Sequence, residues 1–140
     1  MKYKFLPHTA DAKFQAFGKN LEEAFENAAY AMTDIITDHK KIKAKIKNAI
    51  KIKSENQEAL LYDFLERFLI LLDTKNFLLR KISDMKIKKT DKQLTLTASI
   101  IGDNNLKIYP TKTTIKAVTY QEMFIKKGGK GWTIQVVVDI

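Results

Sequence analysis

No cysteine occurs among the 140 residues, which removes thiol nucleophiles, thiolate metal sites and disulfide frameworks together and suits a reducing compartment. Two prolines and five glycines are scattered along the chain, and no linker, repeat or low-complexity tract interrupts it. Residues 1–140 are therefore read as a single domain, large enough to bury a core without covalent staples. Nothing approaches the roughly 18 uninterrupted apolar residues of a membrane span. The opening "MKYKFLPHTA" has no apolar signal-peptide segment, so a soluble cytoplasmic protein with no membrane partner is expected. Arginine is scarce: Arg67 and Arg80 stand alone among 25 lysines and arginines. The formal net charge of +9 favours an acidic partner such as RNA, but lysines lack the planar fork that makes arginine the better phosphate reader. Nucleophile-elbow, zincin, EF-hand, dinucleotide and P-loop patterns are all missing.

What is present is alternation and helical periodicity. From Ala12 the segment "DAKFQAFG" alternates as a strand with one buried face. Asn20 with Glu23 has capping-box spacing, and Leu21, Ala24, Phe25, Ala28, Ala29, Met32, Ile35 and Ile36 then recur at three and four, predicting a helix over 20–37. In "KKIKAKIKNAIKIK", Ile42, Ala44 and Ile46, then Ile50 and Ile52, face one way and lysines the other. This lysine row has no aromatics for bases to stack on and is read as the solvated side of a half-buried strand. Ser54 with Gln57 repeats the capping spacing and opens a second helix to about Asp73. Its wide stripe of Leu60, Leu61, Phe64, Leu65, Phe68, Leu69, Leu71 and Leu72 makes it the central core helix. Four strands follow, over 77–89, 93–101, 115–126 and 132–140, the last two joined by the glycine-rich "KKGGKGW". The expected class is α+β, with two helices packed on one face of a mostly antiparallel sheet.

Few residues offer chemistry. His39 follows Asp38 past a helix end, where an imidazolium would meet the helix dipole. Asp139 is an acid on the buried strand "IQVVVDI" and needs either solvent or a partner. If the first and last strands are neighbours, Asp11, Asp139 and the carboxyl group of Ile140 would gather there. Their repulsion would be relieved by a hard divalent cation or a lysine.

The segments "HTADAKFQAFGKNLEEAFENAAYAM" (8–32), "EALLYDFLERFLILLDT" (58–74), "KAVTY" (116–120) and the final "DI" (139–140) together resemble the archease family, in order and over nearly the whole chain. The resemblance implies a strand-helix-strand-strand core with an inserted module. It implies a non-catalytic accessory factor for the RtcB-type RNA ligase of tRNA splicing and RNA repair. That GTP- and Mn²⁺-dependent ligase joins 3′-phosphate and 5′-hydroxyl ends, and the accessory factor promotes its guanylylation and multiple turnover. By motif, the implied metal site falls on Asp11, Asp139 and Ile140, binding Ca²⁺ or else Mg²⁺ or Mn²⁺. Lys116 is the implied ligase-activating residue, and His8 is expected behind the ligands as a hydrogen-bond donor. No residue is assigned a catalytic role. Alternative functions are chaperone of a tRNA methyltransferase, a basic RNA-binding module with tRNA as partner, and a metal-dependent phosphohydrolase using His8 as base. The chain departs from the family pattern at Ala12-Lys13 after the motif acid and at Gln121 after "VTY".

Overall fold

The computed structural model describes residues 1–8 and 10–140. In chain order the elements are β1 (Tyr3–Leu6), β2 (Asp11–Gly18), α1 (Leu21–Ile36), β3 (Ile46–Ser54), α2 (Gln57–Lys75), β4 (Leu78–Thr90), β5 (Gln93–Asp103), β6 (Ala117–Gly128) and β7 (Gly131–Asp139). The strands divide between two sheets, a four-stranded one in the order β1-β2-β7-β6 and a three-stranded one in the order β3-β5-β4. Every strand pair is antiparallel. The first sheet and α1 form the core unit, and β3-α2-β4-β5 is the module inserted between α1 and β6.

The helices begin where side chains satisfy their open amides. Asn20 caps α1 by accepting from the Glu23 amide at 2.8 Å, and Glu23 reaches back to the Lys19 amide at 3.0 Å. At α2 the expected Ser54 cap is replaced by Asn56, which accepts from the Ala59 amide at 2.8 Å. Ser54 instead ends β3, its hydroxyl donating to Asp63 at 2.6 Å. Asn56 and Ala59 have the same capping spacing two residues later, and asparagine ranks with serine as an N-cap. Asn76 closes α2 in the left-handed conformation, φ 57°.

Two further expectations are corrected. Residues 3–6 form a short edge strand that the sequence did not signal, because Phe5 and Leu6 are adjacent rather than alternating; pairing with β2 makes it a strand. Strand β3 starts only at Ile46, and Ala44 lies exposed before it.

One apolar core joins both sheets and both helices. Phe14 and Ala16 of β2 with Ile134, Val136 and Val138 of β7 face α1, whose Ala24, Ala28 and Ala29 bring its backbone close to the sheet. The α2 residues Leu60, Leu61, Phe64 and Leu65 are fully buried. Phe64 lies between the helices, its ring centroid 5.7 Å from Phe25 and 5.1 Å from Phe68. At the far end of the β2–β7 pair, Gly131 adopts φ 125°, and a side chain there would collide with the Gly18 carbonyl.

His39 is buried, stacked on Tyr30 at 4.6 Å, with Nε2 bonded to the Arg80 carbonyl at 2.9 Å. Burial lowers its pKa, so it serves as a neutral packing residue and not as the cation expected at a helix end. Phe64→Ala should destabilise the fold by about 3–5 kcal/mol, measured by urea denaturation; a loss under about 1 kcal/mol would make α2 peripheral. Because His39 has a folded-state pKa below its unfolded one, the unfolded chain takes up that proton first as pH falls. Stability contributed there is intact above the ordinary histidine range and lost on acidification through it. His39→Gln should therefore show a shallower fall in stability between about pH 7 and 5 than wild type. Equal slopes would mean that the imidazole titrates freely.

Candidate functional site

The pairing of β2 with β7 brings the first motif to the end of the last strand. Asp11 lies directly opposite Asp139, Ala12 opposite Val138 and Lys13 opposite Val137. Val138 belongs to the core that packs on the helices, so alternation puts Asp11 and Asp139 on the other, outer face. On the far side of β7, Ala117 pairs with Asp139, and the Lys116 amide donates to the Asp139 carbonyl at 2.7 Å. The chain end is thereby pinned between two strands, with Ile140 half-buried against the core. Lys116 is exposed at this corner and borders a cavity of about 340 Å³ that Asp73, Asn76, Thr113 and Thr114 also line.

His8 approaches Asp11 with Nδ1 at 3.7 Å from a carboxylate oxygen. Its Nε2 donates to Glu122 at 2.9 Å, and Lys13 reaches the other Glu122 oxygen at 3.1 Å. Hydrogen bonds from Lys13 and then His8 hold the Glu122 carboxyl below the usual carboxylate range. Buried His8 Nδ1 has no hydrogen-bond partner among the described residues. Thr9, the remaining polar residue of "HTAD", lies outside the described residues.

Glu122 was not a candidate from sequence, since its partners lie 109 and 114 residues away. It reaches them because β6 bulges: Thr119 pairs with Val137, but the next paired residue is Phe124, opposite Gln135. Glu122 stands in this bulge at φ 53°. A buried amide relay holds it there, Gln15 donating to Gln135 at 2.9 Å and Gln135 donating to the Glu122 carbonyl at 2.8 Å. Bulges beside sites commonly serve to re-aim a side chain. The irregular "VTYQEM", four polar or aromatic residues where alternation fails, was the one available signal.

Residues 3–140 match the Archease protein family. The chain belongs to the archease family. It is similar to protein archease of Methanosarcina barkeri, 44% identical over 99% of this chain and 96% of that one. It is also similar to that of Pyrococcus abyssi, 36% identical over 99% of each. Methanobacterium thermoautotrophicum protein 1598, known from a solution structure, superposes with TM-score 0.85 at 33% identity over 99% of both chains. A Thermotoga maritima crystal structure, described as an archease and possible chaperone, shares the fold with TM-score 0.60 at 22% identity, covering 98% of this chain and 96% of that one. The archease assignment agrees with the α+β class and the inserted module. No helix among the described residues is long and apolar enough to cross a membrane.

Opposed carboxylates on neighbouring strands repel, and Asp139 has no ion-pair partner among the described residues. In EDTA, Asp139→Asn should raise stability by about 0.2–1 kcal/mol, the range for cross-strand charge pairs. In an Asp11→Asn background the same change should have no effect. Equal effects in both backgrounds, read by urea denaturation, would show that the two acids do not interact.

Proposed function

We propose that this archease is a non-catalytic activator of an RtcB-type RNA ligase, promoting ligase guanylylation and turnover in tRNA splicing and RNA repair through a divalent cation at the Asp11–Asp139 corner. The supporting observation is convergence: Asp11, Lys116 and Asp139, from three separated segments, meet across β2, β7 and the entry to β6. The donors suit a hard cation. Two carboxylates and the main-chain oxygen of Ile140 are all oxygen ligands, and Ca²⁺, Mg²⁺ or Mn²⁺ would relieve the repulsion between the acids. Among the described residues no three His, Asp or Glu side chains form a metal cage, so main-chain oxygen has to contribute. When bound, the ion supplies positive charge for phosphate oxygens.

The protein's own groups fix this corner. Strand pairing holds both acids, and His8, tied through Nε2 to Glu122, brings Nδ1 to 3.7 Å from Asp11. The exposed Lys116 ammonium is placed to meet a partner's phosphate as a point charge. A second reading, chaperone of a tRNA methyltransferase, draws on the stacked pair Tyr62 and Tyr120, 4.5 Å apart. Tyr120 is 55% exposed, an aromatic surface of the kind enriched at protein interfaces.

Ca²⁺ should raise the melting temperature and EDTA reverse it, with Asp11→Asn and Asp139→Asn each abolishing the shift. With ligase limiting, wild type should stimulate guanylylation. Lys116→Ala should retain the Ca²⁺ shift while losing about tenfold to a hundredfold in guanylylation rate, as for a hydrogen bond to a charged group. Normal stimulation by all three folded variants would reject the corner as the working surface. Protection of a methyltransferase from aggregation without ligase stimulation would select the second reading.

A further inference from the structure

The open face of the three-stranded sheet carries an array that is invisible strand by strand. Strand β5 runs between β3 and β4, and register places their residues in rungs. Lys47 and Lys81 both lie opposite Ile101, Lys51 and Lys86 opposite Thr97, and Lys53 and Lys88 opposite Thr95, while Ala49 and Ser83 flank Ser99. The intervening residues Ile50, Ile52, Ile82, Leu96, Ala98 and Ile100 are buried in the core, so all six lysines project from the opposite side and are exposed. None of the six has an ion-pair partner among the described residues. The three strands contain only Asp84 and Asp103 as acids: Asp103 is buried against Tyr109, and Asp84 stands in a bulge of β4, outside the paired rungs. The result is two lysine rows about 10 Å apart, two strand spacings, separated by a ridge of Thr95, Thr97, Ser99 and, between Lys47 and Lys81, Ile101. Edge protection asks for an occasional lysine on each outer strand; three opposed pairs exceed it.

We propose that this face binds the phosphodiester backbone of double-stranded RNA, independently of base sequence and of the metal corner. Charge complementarity names a polyanion, and the chemistry of the face narrows it. No aromatic residue stands on the rungs to stack a base or enter a lipid surface, which disfavours single strands and membranes. Lysine is depleted at protein interfaces, which disfavours an acidic protein. Two parallel cation rows across a ridge that is mostly hydroxyl suit two phosphate rows facing each other. The narrow major groove of A-form RNA presents such rows, whereas the B-DNA major groove is about 12 Å wide. The lysine row of β3 alone resembled a solvated strand face; the partner row supplied by β4 changes its meaning.

The test is fluorescence anisotropy of the full chain with a labelled RNA hairpin duplex of arbitrary sequence, across a potassium chloride series. Wild type should bind, with log K falling linearly against log salt. Replacing Lys51, Lys53, Lys86 and Lys88 by glutamine should weaken binding at least tenfold at low salt and reduce the slope by about 3–4, near 0.9 per phosphate contact. A control replacing Lys19, Lys40, Lys107 and Lys130, with the same change in charge, should stay within about twofold, since binding of this kind depends on where the cations stand. Circular dichroism confirms that both variants fold. Equal weakening by the two variants would reduce the effect to net charge and overturn the proposal. So would tighter binding to phosphatidylserine vesicles, to duplex DNA or to single-stranded RNA than to duplex RNA, or no binding by wild type.

Discussion

Eight residues of β2, Asp11 to Gly18, lie opposite eight of β7, Asp139 back to Trp132, and this one antiparallel pairing governs the remainder of the molecule. A slip of one residue would turn Phe14 and Ala16 out of the core and Lys13 and Gln15 into it. The buried run Ile134 to Val138 and the close approach of Gly131 to Gly18 pin that register at the middle and at one end. The opposite end, held in place by the same pairing, is where two carboxylates are forced together. The acids do not stabilise the strand pair; the strand pair imposes the acids on each other.

Everything assigned to the corner follows from this constraint. Lys116 is fixed because β6 pairs with the other side of β7. Glu122 arrives because β6 bulges and Gln135, on β7, holds the bulge by its carbonyl. Residues carried on sheet strands and tied through main-chain hydrogen bonds are held more precisely than residues on loops. Archease relatives in Methanosarcina and Pyrococcus match over 99% of this chain, so the inserted module lies within the matched length.

The inserted module is attached by burial and not by strand pairing. Among the described residues its sheet shares no ladder with the first, and the two are joined through α1, α2 and the aromatic contacts of Phe25, Phe64 and Phe68. The helices and the core occupy its inner side, leaving the outer side to its lysines. Two chemically opposite surfaces, an acidic corner and a cationic face, thus stand on separate sheets of one core.

Local pattern was enough for whatever depends on neighbours within a turn or two. The α1 cap, the apolar stripes of both helices and the alternation of β2 were legible because each reflects steric and hydrogen-bonding preferences over a few residues. Family resemblance in "HTAD", "KAVTY" and the final "DI" pointed to Asp11, Lys116 and Asp139, yet nothing local said that Asp11 faces Asp139. Where two capping residues competed, Ser54 and Asn56, spacing could not choose between them. Glu122 and the paired lysine rows were out of reach for a different reason. Strand alternation says which residues share a face of their own strand, but which strand lies beside it, and in which register, is decided by burial summed over the whole core, between residues distant in sequence.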